Sequence, residues 1–439
     1  MRERSVDFPT LPLYNDMRVV QGVASNMGKM LFVDYGVFFN TEYTELRNIR
    51  KFFKTNKTID SIMKYNIYCV LIFCSVFLTH GFAAEKDRAA IDSIVRRHLE
   101  PAVGKDKPVF GCAVGIVYGD TVCQYGFGRI NDGSDAIPNE KTVYEIASVT
   151  KLFTGLLLAD MVVRKELKLE DRLAELLPSG YSLPQKSDRA ITLLDIAEHR
   201  SGLPRLTPNF WEIANQTPGD PYTLFTREKA YESLALWKPE FEPQERYEYS
   251  NFAFALLGNV IAAKKGKTYE ELLSERILTP LGMSETKTVL DEPLQKRLAP
   301  PHDADGNLCK NWDLSTGFAP GGGLRSTLDD MLKFAVASTG QFDLLDKKLD
   351  DSQKEILDKA FILAQTPQAD GVGEGRKIGL GWNKHDAKNF YWHNGQTGGY
   401  FSMFILDREN KIAIVILSNS FNTTPDSTAV KILEELRHE

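Results

Sequence analysis

Three short segments of this 439-residue chain carry side chains that could act together: Ser148-Val149-Thr150-Lys151, Tyr249-Ser250-Asn251 and His393-Asn394-Gly395. Nucleophilic catalysis needs a hydroxyl made reactive by a neighbouring base. Ser148 supplies the hydroxyl. Lys151 follows at i+3, and on a helix those positions share a face, so the amine lies one turn away. A lysine in the first, buried turn of a helix meets the partial positive charge of that end. Its ammonium form is disfavoured there, which suits an amine of lowered pKa that can hold or accept a proton. Tyr249 is a second candidate base and a candidate proton donor to a leaving group. Its phenol ordinarily titrates near about 10 and would need positive charge from Lys151 to ionise. The residues leave open which of the two takes the serine proton. Asn251 offers an amide that can hydrogen-bond both a substrate amide and Lys151.

The spacing Ser-x-x-Lys is weak by itself and occurs three times, at Ser61–Lys64, Ser148–Lys151 and Ser284–Lys287. Context separates the three. Ser61 precedes a segment with the form of an export signal, and Ser284 follows a loop with no long apolar stretch behind it. Ser148 leads directly into Leu152, Phe153, Leu156, Leu157, Leu158, Met161 and Val162, which read as a buried helix. Tyr249 is the only Tyr followed two residues later by Asn, and His393 the only His followed two residues later by Gly. Each residue also has a plainer reading: Ser148 and Asn251 as helix N-caps, Tyr249 as a packing aromatic, His393 as a surface turn residue.

In this order the segments resemble the SxxK, YxN and [KH]xG elements of the serine β-lactamase and penicillin-binding family, in its class C pattern. Further stretches carry the likeness. Glu198-His199-Arg200-Ser201-Gly202-Leu203-Pro204 is similar to the family's HTSGLP-type segment. Glu245 to Asn251 is similar to its PGxxxxYSN segment, with Gln244 where Gly is usual, and Pro280-Leu281-Gly282-Met283 also matches. The resemblance spans about residues 90–435. It implies an α+β fold, an antiparallel sheet flanked by terminal helices plus an inserted all-helical domain, with the active site in the cleft between. It implies an acyl-enzyme on Ser148, with Lys151 and Tyr249 as proton carriers, and an oxyanion site made by the backbone N–H groups of Ser148 and Gln396. Gly395 and Thr397-Gly398-Gly399 fit a strand edge along which substrate lies close to the backbone. The serine mechanism calls for no metal and no cofactor.

β-Lactam hydrolysis is the leading expectation from this resemblance. The alternatives are a D-alanyl-D-alanine carboxypeptidase of penicillin-binding type and a small-ester esterase; peptidoglycan is then a candidate partner. A non-catalytic scaffold is disfavoured by the intact Ser148, Lys151 and Tyr249. His393 departs from the lysine usual in class C β-lactamases and lowers the expectation of an efficient β-lactamase. A histidine near its ordinary pKa would be partly charged at neutral pH. If it anchored a substrate carboxylate, kcat/KM for such substrates would fall from about pH 6 to about pH 8.

Elements at both chain ends must position these groups. Residues 86–102 suit an amphipathic helix through Ala90, Ile91, Ile94, Val95 and Leu99. Phe110 to Tyr118 and Val122 to Gly128 read as a hairpin turning at Gly119-Asp120, a register that sets Cys112 opposite Phe127. Tyr400 to Leu406 and Ile412 to Leu417 form a second strand pair, and a last helix covers about 426–437. The middle is mostly helix and loop. The expected division is a sheet part at about 85–145 and 340–439 and a helical part at about 146–340. Gly321-Gly322-Gly323 reads as a flexible loop; no Gly-Lys-Ser/Thr follows, so phosphate binding is rejected. Ser326-Thr327-Leu328-Asp329-Asp330 looks like a capped helix start.

Composition fits a soluble globular chain: 43% hydrophobic, 26% charged, net charge −6. Without a long basic run nothing points to nucleic acid. Met63-Lys64-Tyr65-Asn66, the apolar run Ile67 to Leu78 and the small residues ending at Ala84 have the form of a secretory signal. The apolar core is too short for a comfortable membrane span. This predicts a secreted or periplasmic protein from residue 85, with Met63 as initiator and residues 1–62 as a non-native upstream extension. Beyond the signal, Cys112, Cys123 and Cys309 are an odd number and are expected as free thiols.

Overall fold

The computed structural model describes residues 87–439 apart from 105–106, 108, 132–134 and 315–316, so the readings made for residues 1–62 and 63–84 lie outside the described residues. An eight-stranded antiparallel sheet forms the framework, in the order β2-β1-β10-β9-β8-β7-β6-β5. Helix α1 (87–99) leads into β1 (Gly111–Tyr118) and β2 (Thr121–Gly128). Near the other end of the chain come β5 (Ala369–Asp370), β6 (Arg376–Ile378), β7 (Asn383–His385), β8 (Phe390–Gln396), β9 (Phe401–Asp407), β10 (Ile412–Ser418) and α6 (Thr424–Leu436). The first strand therefore pairs with the last, from Cys112↔Ser418 to Tyr118↔Ile412. The hairpin register puts Cys112 opposite Phe127, as its turn length requires, and Gly119 takes the left-handed φ of 53° that a tight turn needs. Cys112, Cys123 and Cys309 are free.

Both faces of the central strands are covered, which is why β1 and β10 read as nearly unbroken apolar runs rather than alternating ones. Ile412, Ile414 and Ile416 pack with Ile91, Val95, Ile432 and Leu433 under the two terminal helices. Ala413, Val415 and Leu417 face the larger core shared with the helical middle. That core holds α2 (Thr150–Val163), α3 (Asn251–Lys264), α4 (Leu328–Ser338) and α5 (Asp351–Gln365). Helix α4 lies directly on the sheet: a side chain at Gly115 would collide with Leu328 and Leu332, and Phe334 meets Phe404 edge-on with centroids 5.5 Å apart. The sheet layer thus draws on residues from before 340. A short pair, β3 (Val143–Glu145) with β4 (Arg325–Thr327), bridges the two ends of the helical region.

Candidate active site

Ser148 stands where β3 gives way to α2. The chain reaches it through Ala147, a non-glycine residue at φ 47°, so the turn before the serine is held in a sparsely populated conformation by its surroundings. Ser148 belongs to the 3-10 turn Ala147–Val149 rather than to a capping position, and no side chain caps that turn or the helix after it. Its hydroxyl is free for Lys151, whose Nζ lies 3.1 Å away. Lys151 is fully buried in the first turn of α2. The same Nζ meets Asn251 Oδ1 at 2.8 Å and the Gly321 carbonyl oxygen. A neutral amine has two N–H donors and one lone pair. The amide and carbonyl oxygens can only accept, while the serine hydroxyl can donate, so these three neighbours satisfy a neutral Lys151 completely. Burial pushes its pKa well below the ordinary lysine value, with the nearby Arg205 charge adding to the shift.

Asn251 is also free of capping duty. Ser250 is the N-cap of α3, its hydroxyl accepting from Ala253 N at 2.8 Å. Tyr249 comes just before that cap, with Lys151 Nζ 4.8 Å from its ring centroid. Burial raises its phenol above the ordinary range, only partly offset by the Ser148 hydroxyl. Its ring packs on His199, centroids 4.4 Å apart. His199 Nδ1 accepts from Ser250 N at 3.1 Å, which fixes the proton of the neutral ring on Nε2.

Strand β8 closes the other side. Gly395 pairs with Ser402 and Gln396 with Phe401. Ser402 Oγ donates to the Ile146 carbonyl oxygen at 2.6 Å, tying the strand to the turn that carries Ser148. A Cβ at Gly395 would lie 2.8 Å from Ser148 N, so only the bare backbone lets β8 come this near. Behind the strand, Glu145 is buried. It takes Trp312 N at 3.1 Å and Asn311 Nδ2 at 3.3 Å and faces Arg325 at 3.7 Å.

His393 is brought to the site but not as the expected cation. It is 2% exposed, and its Nδ1 hydrogen-bonds the Asn394 carbonyl oxygen at 2.6 Å. Burial pushes its pKa down to about 3. The ring is neutral throughout pH 6–8, so the expected decline in carboxylate recognition over that range has no source in His393.

The structure therefore brings Ser148, Lys151, Tyr249, Asn251, His393, Gly395 and Gln396 together. Of the other Ser-x-x-Lys candidates, Ser284 is exposed and Lys287 pairs with Asp291 at 2.5 Å; Ser61 lies outside the described residues. Sequence reasoning missed three contributors. The glycine run is not a flexible loop: Ala319–Gly322 is a buried helical turn, glycine-rich because its backbone packs against Asn251, and it delivers the Gly321 carbonyl to Lys151. His199 packs on the Tyr249 ring, and its place in the HTSGLP-like segment is the signal that could have found it. Arg205, just beyond that segment, sits with its guanidinium 5.2 Å from the Tyr249 ring centroid.

The β-lactamase family profile matches residues 91–438. The chain is 28% identical over 366 residues to the D-alanyl-D-alanine-carboxypeptidase/endopeptidase AmpH of Escherichia coli, covering 82% of this chain and 92% of that protein. It is 23% identical over 385 residues to an Escherichia coli β-lactamase, covering 80% and 95%. Among solved structures it is similar to a β-lactamase/D-alanine carboxypeptidase from Yersinia pestis complexed with citrate. That match has a TM-score of 0.66 at 23% identity and covers 80% of this chain and 99% of the other. It carries the fold: an antiparallel sheet with helices.

Proposed function

Since this chain belongs to the β-lactamase family, we propose that it is a serine hydrolase that opens β-lactams through an acyl-enzyme on Ser148. The observation that carries this reading is the set of three contacts at Lys151 Nζ, because they leave its lone pair for the Ser148 hydroxyl proton. Ser148 Oγ attacks the substrate carbonyl carbon and its proton passes to Lys151. The oxyanion is held by the N–H groups of Ser148 and Gln396, preorganised donors of the kind that supply much of the rate in acyl transfer. As the tetrahedral species collapses, the carbonyl–nitrogen bond breaks and the nitrogen takes the Tyr249 proton. Water then releases the acyl group by the reverse sequence.

The shifts favour this division of labour. An amine held well below its ordinary pKa serves as the base, and a phenol held above its own stays protonated and serves as the donor. Asn251 orients Lys151 and the substrate amide, and Gly395 with Gln396 and neutral His393 forms the strand-side wall. D-Alanyl carboxypeptidase action is the second reading, favoured by the AmpH similarity over most of both chains. We infer export through a signal at 63–84, with catalytic residues from 85 onward; among the described residues no helix is long and apolar enough to cross a membrane.

The test is intact mass against time after mixing with a penicillin, with Ser148→Ala as control. An adduct that forms and clears, leaving hydrolysed drug, is the expected result. A persistent adduct moves the assignment to a penicillin-binding peptidase. An adduct that survives Ser148→Ala, or none at all, defeats the proposal.

A further inference from the structure

Of the cations at this cleft, Arg205 is the one whose donors remain uncommitted among the described residues. Its backbone is fixed: the carbonyl oxygen accepts from Asn251 N at 3.0 Å and Phe252 N at 3.2 Å, so the residue is anchored to the start of α3 beside Asn251. Its side chain is exposed, and no described acidic group pairs with its guanidinium. The Tyr249 ring has this guanidinium 5.2 Å from its centroid and Lys151 Nζ at 4.8 Å. Lys151 is occupied by Ser148, Asn251 and Gly321. His393 is buried against its neighbour's carbonyl oxygen. An anion entering the cleft thus finds one cation with free N–H groups, and the planar guanidinium fork matches a carboxylate in two parallel hydrogen bonds.

We propose that Arg205 is a specificity-determining residue that receives a carboxylate of the substrate, so that the enzyme selects anionic acyl donors over neutral ones. The selection rests on the acyl-enzyme reading above. It places the charge-reading group on the helical side, just beyond the HTSGLP-like segment and on the residue whose carbonyl oxygen accepts from Asn251 N, rather than on β8.

The test compares a penicillin with its neutral methyl ester by the second-order rate of adduct formation on Ser148, a readout independent of deacylation. The wild type should acylate faster with the acid. Arg205→Ala should slow the acid by about 10- to 100-fold, the loss of a charge-assisted hydrogen-bonding pair, and change the ester less than about threefold. Arg205→Lys should recover part of the loss and Arg205→Glu should prefer the ester. Raised salt should weaken the wild-type preference, because an exposed charge is screened. Any effect of Arg205 on Lys151 is common to both substrates and cancels in the ratio. Equal slowing of both substrates, or no slowing of either, overturns the proposal while leaving the acyl-enzyme reading in place. Failure of the wild type to form an adduct with either compound overturns both.

Discussion

Gly395→Ala should separate the positioning of Ser148 from the stability of the fold. The added methyl carbon would sit 2.5 Å from Ser402 Oγ and 2.8 Å from Ser148 N, and nearer still to the Ile146 carbonyl oxygen. Ordinary contact begins near 3.4 Å, so β8 must retreat by about 1 Å from the Ile146–Ser148 turn. Two losses follow. Overpacking costs about 1–3 kcal/mol, and the Ser402–Ile146 hydrogen bond, worth about 1 kcal/mol, is strained or lost. The Gln396 N–H moves with its strand, and a displacement of about 1 Å in a reacting constellation costs on the order of 100-fold in rate. The assay is kcat per active site, with sites counted by penicillin adduct, beside urea unfolding. Ser402→Ala, which removes the hydrogen bond and adds no bulk, should cost only about 1 kcal/mol and far less rate. If folded Gly395→Ala keeps kcat within about threefold of wild type, then the contact between β8 and the Ser148 turn does not set the oxyanion geometry, and the reasoning fails.

Further outcomes are expected. His393 has a folded pKa of about 3 against an ordinary value near 6.5. Between those limits the unfolded chain binds the extra proton, so the stability held in full above about pH 6.5 is lost as pH falls toward 3. Urea midpoints at pH 7 and pH 4.5 should show this, and His393→Gln should flatten the slope; an unchanged slope would count against a neutral buried ring. Glu145→Leu leaves Arg325 buried without its partner and should cost about 3–5 kcal/mol, with Glu145→Gln milder; denaturant curves that place both near wild type would contradict the network behind Gln396. Cys309 should react with a thiol reagent well before buried Cys112, whose thiol is pushed up to about 12. Cys309→Ser should remove the fast phase, and a fast phase that persists would reverse the ranking.

Much of this was legible because it rests on local pattern. The tight turn at Gly119-Asp120 fixes the hairpin register that puts Cys112 opposite Phe127. A serine leading an apolar helix with a lysine one turn on identifies Ser148 against Ser61 and Ser284. Thr327 caps α4, its hydroxyl accepting from Asp330 N at 3.3 Å. What stayed hidden depends on long-range approach. Gly321 reads as looseness until Asn251 and Lys151 are seen packed against it. His393 reads as a titrating cation until its burial is known, since one residue's pKa is a property of everything around it. Strands β5–β7 are two or three residues each and carry too little pattern to detect.

The pairing of the first strand with the last has a consequence for how the protein comes into being. Ser418 Oγ bonds to the Gly111 carbonyl oxygen across 307 residues of chain, and the turn carrying Ser148 is tied to β9 across 256. Contacts of such separation demand closure of very long loops before they return any free energy, and such topologies fold slowly. Until β8 to β10 have been synthesised, β1 has no inner neighbour and Ser148 has no opposing strand. The nascent chain can neither complete its sheet nor assemble its site while it is still being made. Hydrolytic competence therefore arrives late and all at once, with the last forty or so residues, and a chain truncated before β9 should yield no partial enzyme.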